Sequence, residues 1–105
     1  MGYSRAVRVG EFVAVSGTVG EGADAYEQTK AAILKIEAAL QEAGAALHDV
    51  VRTRIFVTNI GDWESVGRAH AESFRKVLPA CTMVEVSRLI APEYLVEVEA
   101  DAYVG

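Results

Sequence analysis

In residues 95–104, LVEVEADAYV, one phase is apolar throughout, Val96, Val98, Ala100, Ala102 and Val104, while the other carries the acids Glu97, Glu99 and Asp101. Successive side chains on a strand point to opposite faces, so this run is a strand with one face in a core and three carboxylates on the other. A helix cannot segregate that pattern. The chain must therefore build a sheet that is covered on its apolar side. A second β-rich run, VVRTRIFV at 50–57, carries charges that can answer the acids, with Arg52, Arg54 and Phe56 on one face and Val51, Thr53, Ile55 and Val57 on the other. Two readings of the charged face stay open. It is either a solvated sheet surface laced with ion pairs or, with its apolar neighbours, part of an oligomer interface.

The cover comes from two stretches with helical spacing. Asp24 and Glu27 are spaced as a capping box, Tyr26, Ile33, Ile36, Leu40 and Ala43 fall on one face, and Gly44 closes the run. A second amphipathic helix is expected from Asp62 as N-cap, with Trp63, Val66, Phe74 and Val77 as its stripe and Pro79 as its limit. His70 on that stripe reads first as a hydrogen-bonded core histidine, and His48 as part of a connecting turn. Residues 3–9 and 12–16 flank Gly10 and Glu11 as an opening hairpin, and PACTMVEVSRL at 79–89 adds a strand with the only cysteine, Cys81, at its mouth. The order is β-β-α-β-α-β-β. This predicts one α+β domain over residues 1–105, with both helices on one face of a mixed sheet.

Charge and composition narrow the partners. With 15 acidic and 10 basic side chains the chain carries net −5, which repels phosphate backbones and anionic lipid. Nucleic acid is therefore an unlikely partner. The 51% hydrophobic content is ample for one core and raises the question of further burial between copies. GTVGEG at 17–22 lacks the Lys-Ser/Thr that completes a phosphate-binding loop, so it reads as an ordinary loop. One cysteine and two histidines at no ligating spacing predict no metal site, and a lone cysteine implies no oxidising compartment. No signal-peptide core, myristoylation pattern or membrane-length apolar run is visible, so a soluble cytoplasmic protein is expected.

Four blocks, in order, resemble one family. YSRAVRVGEFVAVSG, IEAALQEAGAALHDVVRTRIFVTNIGDWESV, PACTMVEVSRL and VEVEADAYV are similar to the opening, middle and closing segments of the Rid (YjgF, L-PSP endoribonuclease) proteins, over nearly the whole chain. The resemblance implies a chorismate-mutase-like fold. It also implies a homotrimer whose sheets form a central barrel, with three active sites in clefts between subunits. The implied chemistry is cofactor-independent hydrolysis of small enamines and imines, such as 2-aminoacrylate, to 2-oxo acids and ammonia. By position, Tyr3 would line the pocket, Ser16 and the Gly17 N–H would hold the substrate's polar end, and Glu97 would orient the attacking water. Ion pairing on the sheet face is the competing role for Glu97.

The departures from the family pattern bear on the substrate. Cys81 stands where active deaminases carry an arginine in a P-A-R-S signature; that guanidinium clamps the substrate carboxylate in a way a thiol cannot. Cys81 would then be an uncharged wall of the substrate pocket, and 2-aminoacrylate-type activity would be weak. As a nucleophile it would need a cation or base to lower its pKa, and its implied neighbour Glu97 works the other way. Gly67 replaces a frequent asparagine, the proline of a G-P-Y opening is absent, and the loop after Arg88 is about one residue longer than the family pattern. Arg5, where the family often has glutamine, either reaches the cleft or serves surface and sheet pairing. Besides the hydrolase, two readings remain: a non-catalytic trimer that binds small molecules or protects proteins, and a ribonuclease or translation inhibitor, which the negative charge disfavours.

Overall fold

A computed structural model describes residues 1–105. Strands β1 (Ala6–Val9), β2 (Phe12–Thr18), β3 (Val50–Val57), β4 (Ala80–Glu85) and β5 (Val96–Tyr103) alternate with helices α1 (Ala25–Glu42) and α2 (Trp63–Phe74), in the expected β-β-α-β-α-β-β order. The sheet order is β1-β2-β5-β3-β4; β3 and β4 run parallel and every other pair is antiparallel. The parallel step is bridged by α2, as a crossover requires. Both helices lie on one face, where Val96, Val98, Ala100 and Ala102 of β5 are completely buried with Ile33, Ile36 and Leu40 of α1 and Val66 and Phe74 of α2.

Local chemistry explains the ends of α1. The Asp24 carboxylate accepts from Glu27 N–H at 2.8 Å, which forms one half of the expected capping box. Gly44, at φ +79°, terminates the helix: its N–H donates to Gln41 O at 3.0 Å, and Ala45 N–H reaches Leu40 O at 2.8 Å. Arg8 of β1 adds a cation to the same end through Nη1–H to Ala43 O at 2.8 Å.

Several expectations are corrected. Val51 was expected on one face with Thr53, Ile55 and Val57, but those three are buried while Val51 is 52% exposed, and Val50 is buried in its place. The cause is a bulge: Val50 pairs with Ala102 and Arg52 with Asp101, so Val51 is an extra residue that shifts the inward phase. Trp63 opens α2 and is 57% exposed. Side chains on a helix lean toward its N-terminus, so the first residue projects past the core, and Ala69, fully buried, takes a place on the inner face. Asp62 holds the N-cap position but its side chain makes no capping bond. The first strand is shorter than expected and the second longer, ending at Thr18 beyond a second irregularity. His70 matches its core reading, with Nε2 2.9 Å from Thr53 Oγ1 and burial pushing its pKa down.

No helix is long and apolar enough to cross a membrane.

Candidate functional site

The uncovered face of the sheet separates its carboxylates. On β5, Asp101 lies opposite Arg52, Glu99 opposite Arg54 and Glu97 opposite Phe56. Arg54 Nη1 reaches Glu99 Oε1 at 3.3 Å and Asp101 Oδ2 at 3.1 Å. Glu99 and Asp101 are therefore ion-paired, as the sequence allowed. Glu97 forms no ion pair and no hydrogen bond with the protein, because the cross-strand position that would answer it holds a phenyl ring.

Space for the free carboxylate comes from β2. Val15 pairs with Ala100 and Thr18 with Val98, so one extra residue lies between them, at Ser16 and Gly17. Bulges of this kind re-aim side chains and interrupt a ladder. A Cβ on Gly17 would overlap Glu97 Oε2 and lie 3.0 Å from Cδ, so the absent side chain is what admits the carboxylate. A cavity of about 370 Å³ opens there, walled by Glu97, Gly17, Ser16, Tyr3 and Arg5, with Met1, Val19 and Ile90 completing it. Ser16 Oγ–H donates to Ser4 O at 2.6 Å, which leaves its lone pairs to accept from a ligand.

Four of the five expected site residues thus meet in one cavity. Cys81 does not. It pairs with Thr53, which is completely buried under the helices, so its side chain belongs to the helix-side face at the β4 edge. Glu97 pairs with Phe56 and belongs to the opposite face. Cys81 instead lines a separate cavity of about 320 Å³ with His70, Phe74, Arg75, Leu78 and Pro79. Leu78 is the one non-glycine residue there, or anywhere in the chain, with a left-handed backbone, at φ 55°.

The sequence reading missed Met1, Val19 and Ile90 among the walls and Gln28 behind them. Ile90, 82% exposed, is carried to the Glu97 cavity by the segment between β4 and β5. Gln28 of α1, almost fully buried, fixes that segment: its Nε2–H donates to Gly22 O at 3.2 Å and Glu93 O at 3.0 Å, while Oε1 accepts from Leu95 N–H at 2.8 Å. A long polar side chain at an inward helical position was the available signal.

Residues 1–104 match the family model described as endoribonuclease L-PSP. An uncharacterized protein of Streptomyces coelicolor is 41% identical over 99% of this chain and 83% of its own length. A protein of Dermatophagoides farinae named 2-iminobutanoate/2-iminopropanoate deaminase is 30% identical over 83% of this chain and 74% of its own. Among solved structures, a Mycobacterium tuberculosis member of the YjgF/YER057c/UK114 family superposes with a TM-score of 0.97 at 59% identity, covering 98% of this chain and 87% of that one.

Proposed function

The chain belongs to the endoribonuclease L-PSP (YjgF) family, and from that membership we propose that it hydrolyses the C=N bond of small imines, and of enamines through their imine tautomers, without a cofactor. The observation that carries this reading is the unpaired Glu97 carboxylate, held over Gly17 beside a cavity of small-molecule size. Glu97 takes a proton from water as the oxygen adds to the imine carbon and passes it to the nitrogen, giving the carbinolamine R₂C(OH)NH₂. It then takes the hydroxyl proton and delivers it to the nitrogen as the C–N bond breaks, so R₂C=NH and H₂O give R₂C=O and NH₃. Ser16 Oγ accepts from the imine N–H, the Gly17 N–H holds the substrate's polar end, and Tyr3 walls the pocket. The deaminase name of the Dermatophagoides farinae relative supports the same chemistry.

Assembly belongs to this proposal. The uncovered sheet face exposes Val7, Val9, Phe12 and Val84, more apolar surface than a solvated sheet needs. Three copies packed through these faces form a central barrel and bring the Cys81 edge of one protomer against the Glu97 cavity of the next. There the thiol is an uncharged wall and supplies no clamp. The negative charge of the chain speaks against a nuclease.

The direct test supplies 2-iminobutanoate, generated in situ by an amino-acid oxidase, and follows ammonia and 2-oxobutanoate. Release above the spontaneous rate is expected, slowed by the lack of an arginine at position 81; a rate equal to that without protein, for this imine and for one without a carboxylate, rejects the hydrolase and leaves the binding trimer. Gly17→Ala provides a second check. Its methyl displaces the Glu97 carboxylate, and a misplacement of about 1 Å costs about 10²-fold in rate. Full activity in that variant would show that the carboxylate's seat over Gly17 does not matter.

A further inference from the structure

The cavity around Glu97 contains one cationic side chain. Arg5 is the only Lys or Arg among its walls. Its Nη2 donates to Gly17 O at 2.8 Å and to Thr18 Oγ1 at 3.2 Å, and its guanidinium carbon lies 5.9 Å from the centre of the Tyr3 ring. These anchors sit at the same β2 irregularity that admits Glu97. Nε and Nη1 donate to no protein atom, and no carboxylate lies within ion-pair distance. The guanidinium is thus anchored through Nη2, exposed between this cavity and a second one lined by Lys35 and Glu42 of α1, with donors to spare and no carboxylate within ion-pair distance. Such a group needs little reorganisation to receive an oxyanion.

We propose that Arg5 is the anion-binding residue of the Glu97 cavity, receiving the carboxylate of a ligand whose C=N or C=O end faces Glu97. This rests on the hydrolase reading and deepens it. One positive and one negative side chain in a single cavity match a small molecule that is anionic at one end and becomes cationic at the other, as a protonated imino acid does. The clamp missing at position 81 is then replaced from the N-terminal segment of the same chain that carries Glu97. Carboxylate-bearing imines, which Cys81 argued against, return to the substrate range.

A purely structural role is the competing explanation: Arg5 ties the N-terminal segment to β2. Arg5→Gln separates the two, because its amide can still donate to Gly17 O while the charge is gone. Wild type, Arg5→Gln and Arg5→Lys are titrated with 2-oxobutanoate and with its uncharged amide, 2-oxobutanamide, following the Ser16 and Gly17 amide resonances. Wild type is expected to bind the acid about 10- to 100-fold more tightly than the amide, the range for hydrogen bonds to a charged group. Arg5→Gln should bring that ratio within about twofold of unity by losing acid affinity alone, and Arg5→Lys should keep part of it. Arg68→Gln, an exposed change on α2 outside the cavity, should leave the ratio as in wild type. A wild-type ratio near one, a ratio retained in Arg5→Gln, or equal losses for acid and amide each overturn the inference. The hydrolase reading is tested apart from Arg5 by turnover of an imine without a carboxylate, which needs Glu97 but no anion-binding residue.

Discussion

Glu97→Gln is expected to lower kcat/KM for imine hydrolysis by about 10²- to 10⁴-fold, the usual contribution of a positioned acid–base group. Glutamine keeps the shape of the side chain over Gly17 but cannot take a proton from water. The carboxylate has no structural partner to lose, since it makes no hydrogen bond or ion pair within the protein. The variant should therefore melt within a degree or two of wild type and keep the same mass in light scattering. The measurement is 2-oxo acid release under saturating and limiting imine. A fall of less than about threefold would remove Glu97 from the chemistry and leave the cavity as a binding site.

Arg54→Glu is expected to dissociate the assembly. In the protomer Arg54 bridges Glu99 and Asp101 on the uncovered face, so the substitution sets three carboxylates side by side. In the proposed barrel they lose solvent, and removing one partner of a desolvated pair costs about 3–5 kcal/mol. Three copies share that penalty. Light scattering should give about three times the 11.3 kDa chain mass for wild type and a single chain mass for the variant at micromolar concentration. Imine turnover should fall with it, because in the proposed trimer the Cys81 edge closes the Glu97 cavity of the next protomer. A wild-type protein that is itself monomeric and fully active would refute the composite site, and an Arg54→Glu trimer would show that the charge cluster is not at the contact.

The structure also separates residues that the alternation alone treated alike. Glu97, Glu99 and Asp101 occupy equivalent phases of one strand, and only their neighbours on β3 distinguish them: an arginine spans the last two, a phenylalanine faces the first. Cys81 and Glu97 looked like neighbours through family resemblance. The parallel pairing of Cys81 with buried Thr53 puts the thiol on the other face of the same protomer.

What the sequence by itself determined rests on periodicity and local backbone chemistry. The β5 alternation, the α1 stripe, the Asp24 cap and the Gly44 stop are satisfied within a few residues of themselves, and so was the order of elements. The tertiary structure alone decided the two bulges, which exchange Val50 for Val51 in the core and open Gly17 beneath Glu97. It alone decided that Gln28 holds the segment bearing Ile90, and that Arg5 stands in the Glu97 cavity with free donors. The physical reason is range. A bulge is a mismatch between two strands far apart in sequence, and a cavity is what several elements leave unfilled; neither has a period that a single stretch of residues can carry.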